Sequence, residues 1–246
     1  MKMKKKLEKK LLGALVGGAF ALAAFLPAAS VAAPLVVAGD IVKLYDGPGT
    51  TGGGEFWADV VGKGVSGAMS ATNNDFITFC LEYNESFNYY GQPLRVDGVT
   101  TGAVNGGVSG GNPDPISNQT AWLYTQFTNS PGTIGYSHTA AMGNSFQRAI
   151  WFLEGELGAS YTLAQLNTLD SQAKAWVDQA NAANPSGIGN VRVLNLSRQL
   201  STGAWVNAQD QLYITPIPEP ETYAMLLAGL GLMGFVARRR RQRATV

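Results

Sequence analysis

Cys80 is the only cysteine in the 246-residue chain. A single thiol cannot close an internal disulfide, so it is buried and inert, pairs with another chain, or is consumed by chemistry. It sits in an apolar stretch, Thr78-Phe79-Cys80-Leu81-Glu82, that reads as a strand. Other candidate groups carry less. Gly107-Val108-Ser109-Gly110-Gly111 fits the spacing of a nucleophile elbow, and Ser109, Asp114 and His138 stand in a triad order. That elbow needs a strand before it and a helix after it, and here it falls in a Gly-rich loop. Glu154 and Glu156, or Glu82 and Glu85, are paired carboxylates of the kind that hydrolyse glycosides, but nothing fixes their separation, and solvated charges are the simpler reading. His138 is the only histidine, read as a loop or helix-start residue. With no Cys/His cluster, no metal site and no cofactor is expected. Asp46, Asp59, Asp75 and Asp114 are possible calcium ligands without the D-x-D-x-D-G loop that would recommend them. Tyr83, Phe87, Tyr89 and Tyr90 offer rings for stacking on sugars, or more simply an edge strand with a packed face.

The elements that must position these groups are legible in part. Residues 35–44, 55–61 and 76–83 are rich in Val, Ile, Phe and Trp and are separated by Gly-rich turns, which predicts a β-meander. Residues 100–117 read as a long Gly/Asn/Ser/Pro loop. The period then changes. Asn118 is expected to cap a short helix through Phe127. Met142, Phe146, Ala149, Ile150, Leu153 and Leu157 recur at helical spacing over about 139–156. Thr162 with Gln165 forms a capping box for a third helix, which Asn184-Pro185 stops. Residues 191–196 and 211–215 close the domain as strands. The expected fold class is α+β: a β-rich N-terminal part packed with about three helices, flanked by an N-terminal signal helix and a short C-terminal transmembrane helix.

Both ends read as addresses rather than as structure. Six lysines within Lys2–Lys10, an apolar core over 11–26 and small residues at Ser30-Val31-Ala32-Ala33 make a secretory signal peptide, residues 1–32. The far end, residues 216–243, has three parts: Pro218-Glu219-Pro220, an uncharged segment over 223–237, and an arginine tail over 238–243. Its 15 apolar residues span roughly 22 Å as a helix at ~1.5 Å per residue, short of a bilayer core and suited to a transient hold. Arg238, Arg239, Arg240 and Arg241 favour a cytoplasmic C-terminus and act as the stop signal. The prolines keep 216–220 extended and open to a protease. This tail resembles the PEP-CTERM signal of Gram-negative bacteria. The resemblance implies passage through the secretion machinery, a transient hold in the inner membrane, processing by an exosortase-type enzyme and delivery to the cell surface or beyond, among extracellular polysaccharides. Between the two ends lie seven basic and fourteen acidic residues, a net −7. An exported acidic domain repels phosphate, so nucleic acid is excluded as a partner.

Residues 33–215 are therefore one extracellular domain, and within it residues 76–156 carry a second resemblance. An aromatic-Cys-hydrophobic strand, Phe79-Cys80-Leu81, followed by a helix with Gln147-Arg148-Ala149-Ile150-Trp151, is similar to the thioester domains of bacterial surface adhesins. The resemblance implies that the Cys80 sulfur attacks the Gln147 carboxamide with loss of ammonia, leaving an internal thioester that an amine or hydroxyl of a partner later opens. Phe146 and Arg148 flank the glutamine where that family commonly has Thr before it and a small or apolar residue after it. A thiolate is a strong nucleophile and an amide a poor electrophile, so the two must be held in near-attack geometry by rigid elements. Gln147 is expected at the margin of the buried helix stripe, with Ile150 and Trp151 shielding it. The expected function is an exported surface or matrix-associated protein, a covalent adhesin through Cys80 and Gln147; the alternative is a noncovalent carbohydrate-binding or structural matrix protein. No enzymatic turnover is expected.

Overall fold

The structure is a computed structural model that describes residues 33–49, 53–105 and 107–216, with residues 227–231 and 233 further on. The signal peptide, the Pro218-Glu219-Pro220 motif and Arg238–Arg241 lie outside the described residues. Of the expected membrane segment, residues 227–231 and 233 are helical; among the described residues no helix is long and apolar enough to cross a membrane.

Six strands form one antiparallel sheet in the order β3-β2-β1-β4-β7-β8. They are β1 (Ile41–Asp46), β2 (Phe56–Val60), β3 (Phe76–Thr78), β4 (Tyr90–Thr100), β7 (Val191–Gln199) and β8 (Trp205–Ile214). Two short strands, β5 (Gly102–Ala103) and β6 (Asp114–Pro115), pair apart from it. Alternation decides which face each side chain takes. Val42 and Leu44 of β1, Ala58 and Val60 of β2, and Leu94 and Val96 of β4 gather in one core with Phe76, Leu194, Leu196 and Tyr213. Val191 and Val193 of β7 take its other face and join a second core, beneath the helices. Opposite Leu194–Leu196, β8 carries one extra residue, which shifts its alternation so that Ala208 and Tyr213 share the first core while Leu212 enters the second.

That second core is built by α1 (Asn118–Asn129), α2 (Ala140–Leu153), α3 (Leu163–Leu169) and α4 (Ser171–Ala183), with a 3-10 turn at Pro131–Ile134. Leu123 and Phe127 of α1, Phe146 and Ile150 of α2 and Trp176 of α4 meet Phe79, Val193 and Leu212 from the sheet. Phe79 packs on Phe127 and Phe146 at ring separations of 5.1 and 4.7 Å. Each helix begins on a side-chain cap. Ser117, Thr139, Thr162 and Asp170 accept from the backbone N–H of Thr120, Met142, Gln165 and Ala173 respectively.

Three expectations are corrected, and one strand has no counterpart in the sequence reading. Ser117, and not Asn118, caps the first helix. The single helix expected after Thr162 is two helices, because Asp170 ends α3 in an extended conformation and caps α4. That makes four helices where about three were expected. The segment 90–100 is an eleven-residue strand in the middle of the sheet, paired with both β1 and β7. The stretch 100–117 carries the β5–β6 pair and is fastened to the domain.

The two edge strands meet. Beyond Thr78 the chain runs on beside β8: Leu212 N–H donates to Phe79 O and Leu81 N–H to Asp210 O, both at 3.1 Å, around a bridge between Cys80 and Gln211. The Thr78 hydroxyl adds a bond to Leu212 O at 2.6 Å. Across the seam the buried Tyr124 hydroxyl bonds Ile77 O at 2.7 Å and Leu212 O at 3.2 Å. Burial and the neighbouring Tyr213 push its pKa well up, so it stays a donor. Tyr124→Phe should therefore lower stability by about 1–3 kcal/mol, read by denaturant unfolding, because it removes the helix-to-seam bond without changing volume.

Candidate functional site

In an antiparallel pair, the residue at a non-hydrogen-bonded position turns its own N–H and C=O away from the partner strand. Cys80 occupies that position opposite Gln211, so its backbone groups would be orphaned in the interior. Gln147 fills the gap. Cys80 N–H donates to Gln147 Oε1 at 2.8 Å, and Gln147 Nε2 donates to Cys80 O at 2.7 Å. One side-chain amide thus stands in for a neighbouring strand. Both residues are buried, Cys80 at 4% exposure and Gln147 at 1%. The expectation that Gln147 lies at the margin of the helix stripe is corrected: it is fully inside. Gly143, Gln147 and Trp151 share one face of α2 at four-residue spacing, and this is the face turned to the strand.

The Cys80 sulfur lies in a small cluster with Phe56 and Trp151 and receives a 3.6 Å contact from Gln211 Nε2. Burial pushes the thiol up to about 12, so at neutral pH it is protonated. Gly53, at φ +106°, closes over the amide. A β-carbon there would run into Gln147 Cγ and the Trp151 ring. Arg148, the charged neighbour of the glutamine, turns away to pair with Asp170.

Beside the seam three carboxylates converge. One oxygen each of Glu82, Glu85 and Asp210 lies within 4.8 Å of the others. Asp210 Oδ1 accepts from Leu196 N–H at 2.8 Å and Oδ2 from Val104 N–H at 3.4 Å, while Glu82 Oε2 receives only Gln209 Nε2 at 3.4 Å. Burial first, then mutual repulsion, raises Glu82 to about 9. Burial and the charge of Glu85 raise Asp210 to about 7, even though its two backbone N–H bonds pull the other way. Nothing in the sequence singles out Asp210. It stands 128 positions from Glu82, and only the Cys80–Gln211 bridge brings the two together.

The remaining candidates are not assembled for catalysis. Ser109 and His138 belong to different networks: Ser109 N–H bonds Glu156, whereas His138 Nδ1 lies 2.8 Å from the buried Glu55, which also accepts from Tyr136 OH at 2.7 Å. Glu154 and Glu156 are not solvated. Glu154 accepts from the N–H and hydroxyl of Ser117. Glu156 accepts from the N–H groups of Tyr83, Val108 and Ser109 at 2.8, 3.0 and 3.2 Å. These carboxylates anchor the 100–117 segment. Asp75 ties a turn through Val60 N–H and Val65 N–H. Of the aromatics, Phe87 packs on Phe56 and Tyr83 on Trp151, while Tyr90 is largely exposed.

Comparison with known families matches residues 216–241 to the PEP-CTERM protein-sorting motif. The chain carries an exosortase sorting signal. It is an exported protein with a C-terminal signal for transient membrane anchoring, and an exosortase is its processing partner. No curated protein matches the chain, and no solved structure matches it.

Two outcomes follow from the geometry. Gln147→Leu leaves Cys80 N–H and C=O without partners and should cost about 2–6 kcal/mol in denaturant unfolding, whereas Cys80→Ala keeps those bonds and should cost about 1 kcal/mol. Glu82 and Asp210 have folded pKa values above their ordinary 4.5 and 3.8, so their contribution is complete below the carboxylate range. It is lost progressively above that range, for Asp210 by about pH 7 and for Glu82 by about pH 9. In chelator, the melting temperature should fall from about pH 4.5 upward, most steeply to about pH 7, and level off above about pH 9.

Proposed function

We propose that the domain is a cell-surface or extracellular-matrix-associated protein that attaches covalently, through an internal thioester between Cys80 and Gln147. One observation carries the reading: two residues 67 positions apart, both buried, are each other's hydrogen-bond partners. The carboxamide is held fixed against the residue that bears the sulfur, which supplies the preorganisation that an unreactive amide requires. The step balances without any outside reagent. The Cys80 S–H bond and the Gln147 C–N bond break, an S–C(=O) bond forms, and the thiol proton leaves with the amide nitrogen as ammonia. Gly53, Phe56 and Trp151 keep water from the product. An amine or hydroxyl on a surface polysaccharide or another ligand then takes the acyl group and regenerates the thiol. Each molecule acts once, so this is attachment and not turnover.

A second reading is favoured by a separate observation: both polar atoms of the Gln147 amide are already committed to the Cys80 backbone, and loss of ammonia would remove one of those bonds. On that reading Gln147 is a structural clamp and the protein is a noncovalent carbohydrate-binding or structural matrix component, with exposed rings such as Tyr90 for contact.

Intact mass of the mature protein separates the two. The covalent reading expects a species lighter by one ammonia, absent in Cys80→Ala. Full mass together with a thiol that titrates after unfolding would leave only the clamp.

A further inference from the structure

We propose that Glu82, Glu85 and Asp210 form a calcium site that pins the seam of the sheet. Their oxygens lie within 4.8 Å of one another, which is the spread expected of oxygens placed 2.3–2.6 Å from one shared ion. The donor set is all oxygen. With no nitrogen or sulfur ligand, the site suits a hard cation and not zinc or copper. Three carboxylates also favour calcium over magnesium, which dehydrates reluctantly and usually keeps several waters.

An independent observation points to an occupant. Glu82 is 2% exposed and its Oε1 has no hydrogen-bond partner. An unpartnered carboxyl oxygen in the interior is costly unless a donor or a cation meets it. Among the described residues, no Lys, Arg or His forms an ion pair with any of the three acids. The nearby Glu156 and Asp97 add negative charge. Glu156 does not compete for the ion, because three backbone N–H groups already bond it.

The placement gives the ion a task. Glu82 and Glu85 follow the Cys80 bridge on one edge of the sheet, and Asp210 lies on β8, the other edge, where its carbonyl accepts Leu81 N–H. An ion shared by the three would bind one edge to the other two residues from Cys80. The inference does not depend on whether the thioester forms.

The test uses the mature protein recovered after export and stripped with chelator. Calcium is titrated by calorimetry, and melting is followed with and without it. The expected result is saturable binding of one ion, a melting temperature raised by several degrees, and affinity reduced about tenfold or more in Glu85→Gln and in Asp210→Asn, since ligand charge sets affinity at such sites. Glu85 is the half-buried member, so Glu85→Gln should melt in chelator no lower than the parent, because it removes a like charge. A parent protein that takes up no calcium at millimolar concentration overturns the proposal, and so does wild-type affinity in either folded variant.

Discussion

The domain depends on a single short stretch of pairing, residues 79–81 against β8. An open antiparallel sheet leaves a row of unpaired groups at each edge. Here the strand order places β3 and β8 at opposite ends, and the continuation of β3 joins them. Joining the edges satisfies β8 but creates a new debt on the other side of Cys80, whose backbone groups face away from that strand. A side chain from α2 settles it. The same few residues therefore fix sheet curvature, helix docking and the environment of the only thiol.

The interior is unusual in its reliance on carboxylates. Glu55, Glu82, Glu156 and Asp210 are all buried. The domain has few basic residues to pair with them, so neutral donors do the work: Tyr136 for Glu55, three N–H groups for Glu156, two N–H groups for Asp210. Hydrogen bonds to the charged form are how a buried carboxylate is tolerated. They also organise the chain, since Glu154 and Glu156 at the end of α2 hold the far side of the 100–117 segment in place. Glu55 and Glu82 each have an oxygen left over, and of the two only Glu82 faces other carboxylates.

Sequence reasoning reached the parts whose signals are local. The period of Met142, Phe146, Ala149 and Ile150 located α2, and β-branched and aromatic composition located β2 and the start of β7; the run expected over 35–44 overlaps β1 only from Ile41. It failed where long-range pairing overrides local preference. The strand Tyr90–Thr100 contains Gly91, Pro93 and Gly98, which argue against a central strand. Its register shifts beside Lys43 and again before Gly98 show how the pairing adapts to them. The 100–117 stretch looked free because its anchors lie some 40 residues downstream. The break at Asp170 was available: an acid followed by Ser171 inside a helical pattern is an N-cap signal. The meeting of Cys80 with Gln147 came from a family likeness and not from periodicity, and Asp210 had no local signal at all.

The position of β8 in the chain bears on the order of events during secretion. It ends at Ile214, and the sorting motif begins at residue 216. A polypeptide threaded through a translocon N-terminus first delivers this strand after everything it must zip to. Until then the edge bearing Cys80 waits without its neighbour, and long-range pairing of this kind is slow in any case. The last strand the sheet needs and the membrane hold thus leave the translocon within a few residues of one another, so closure of the sheet and arrival of the hold are nearly simultaneous.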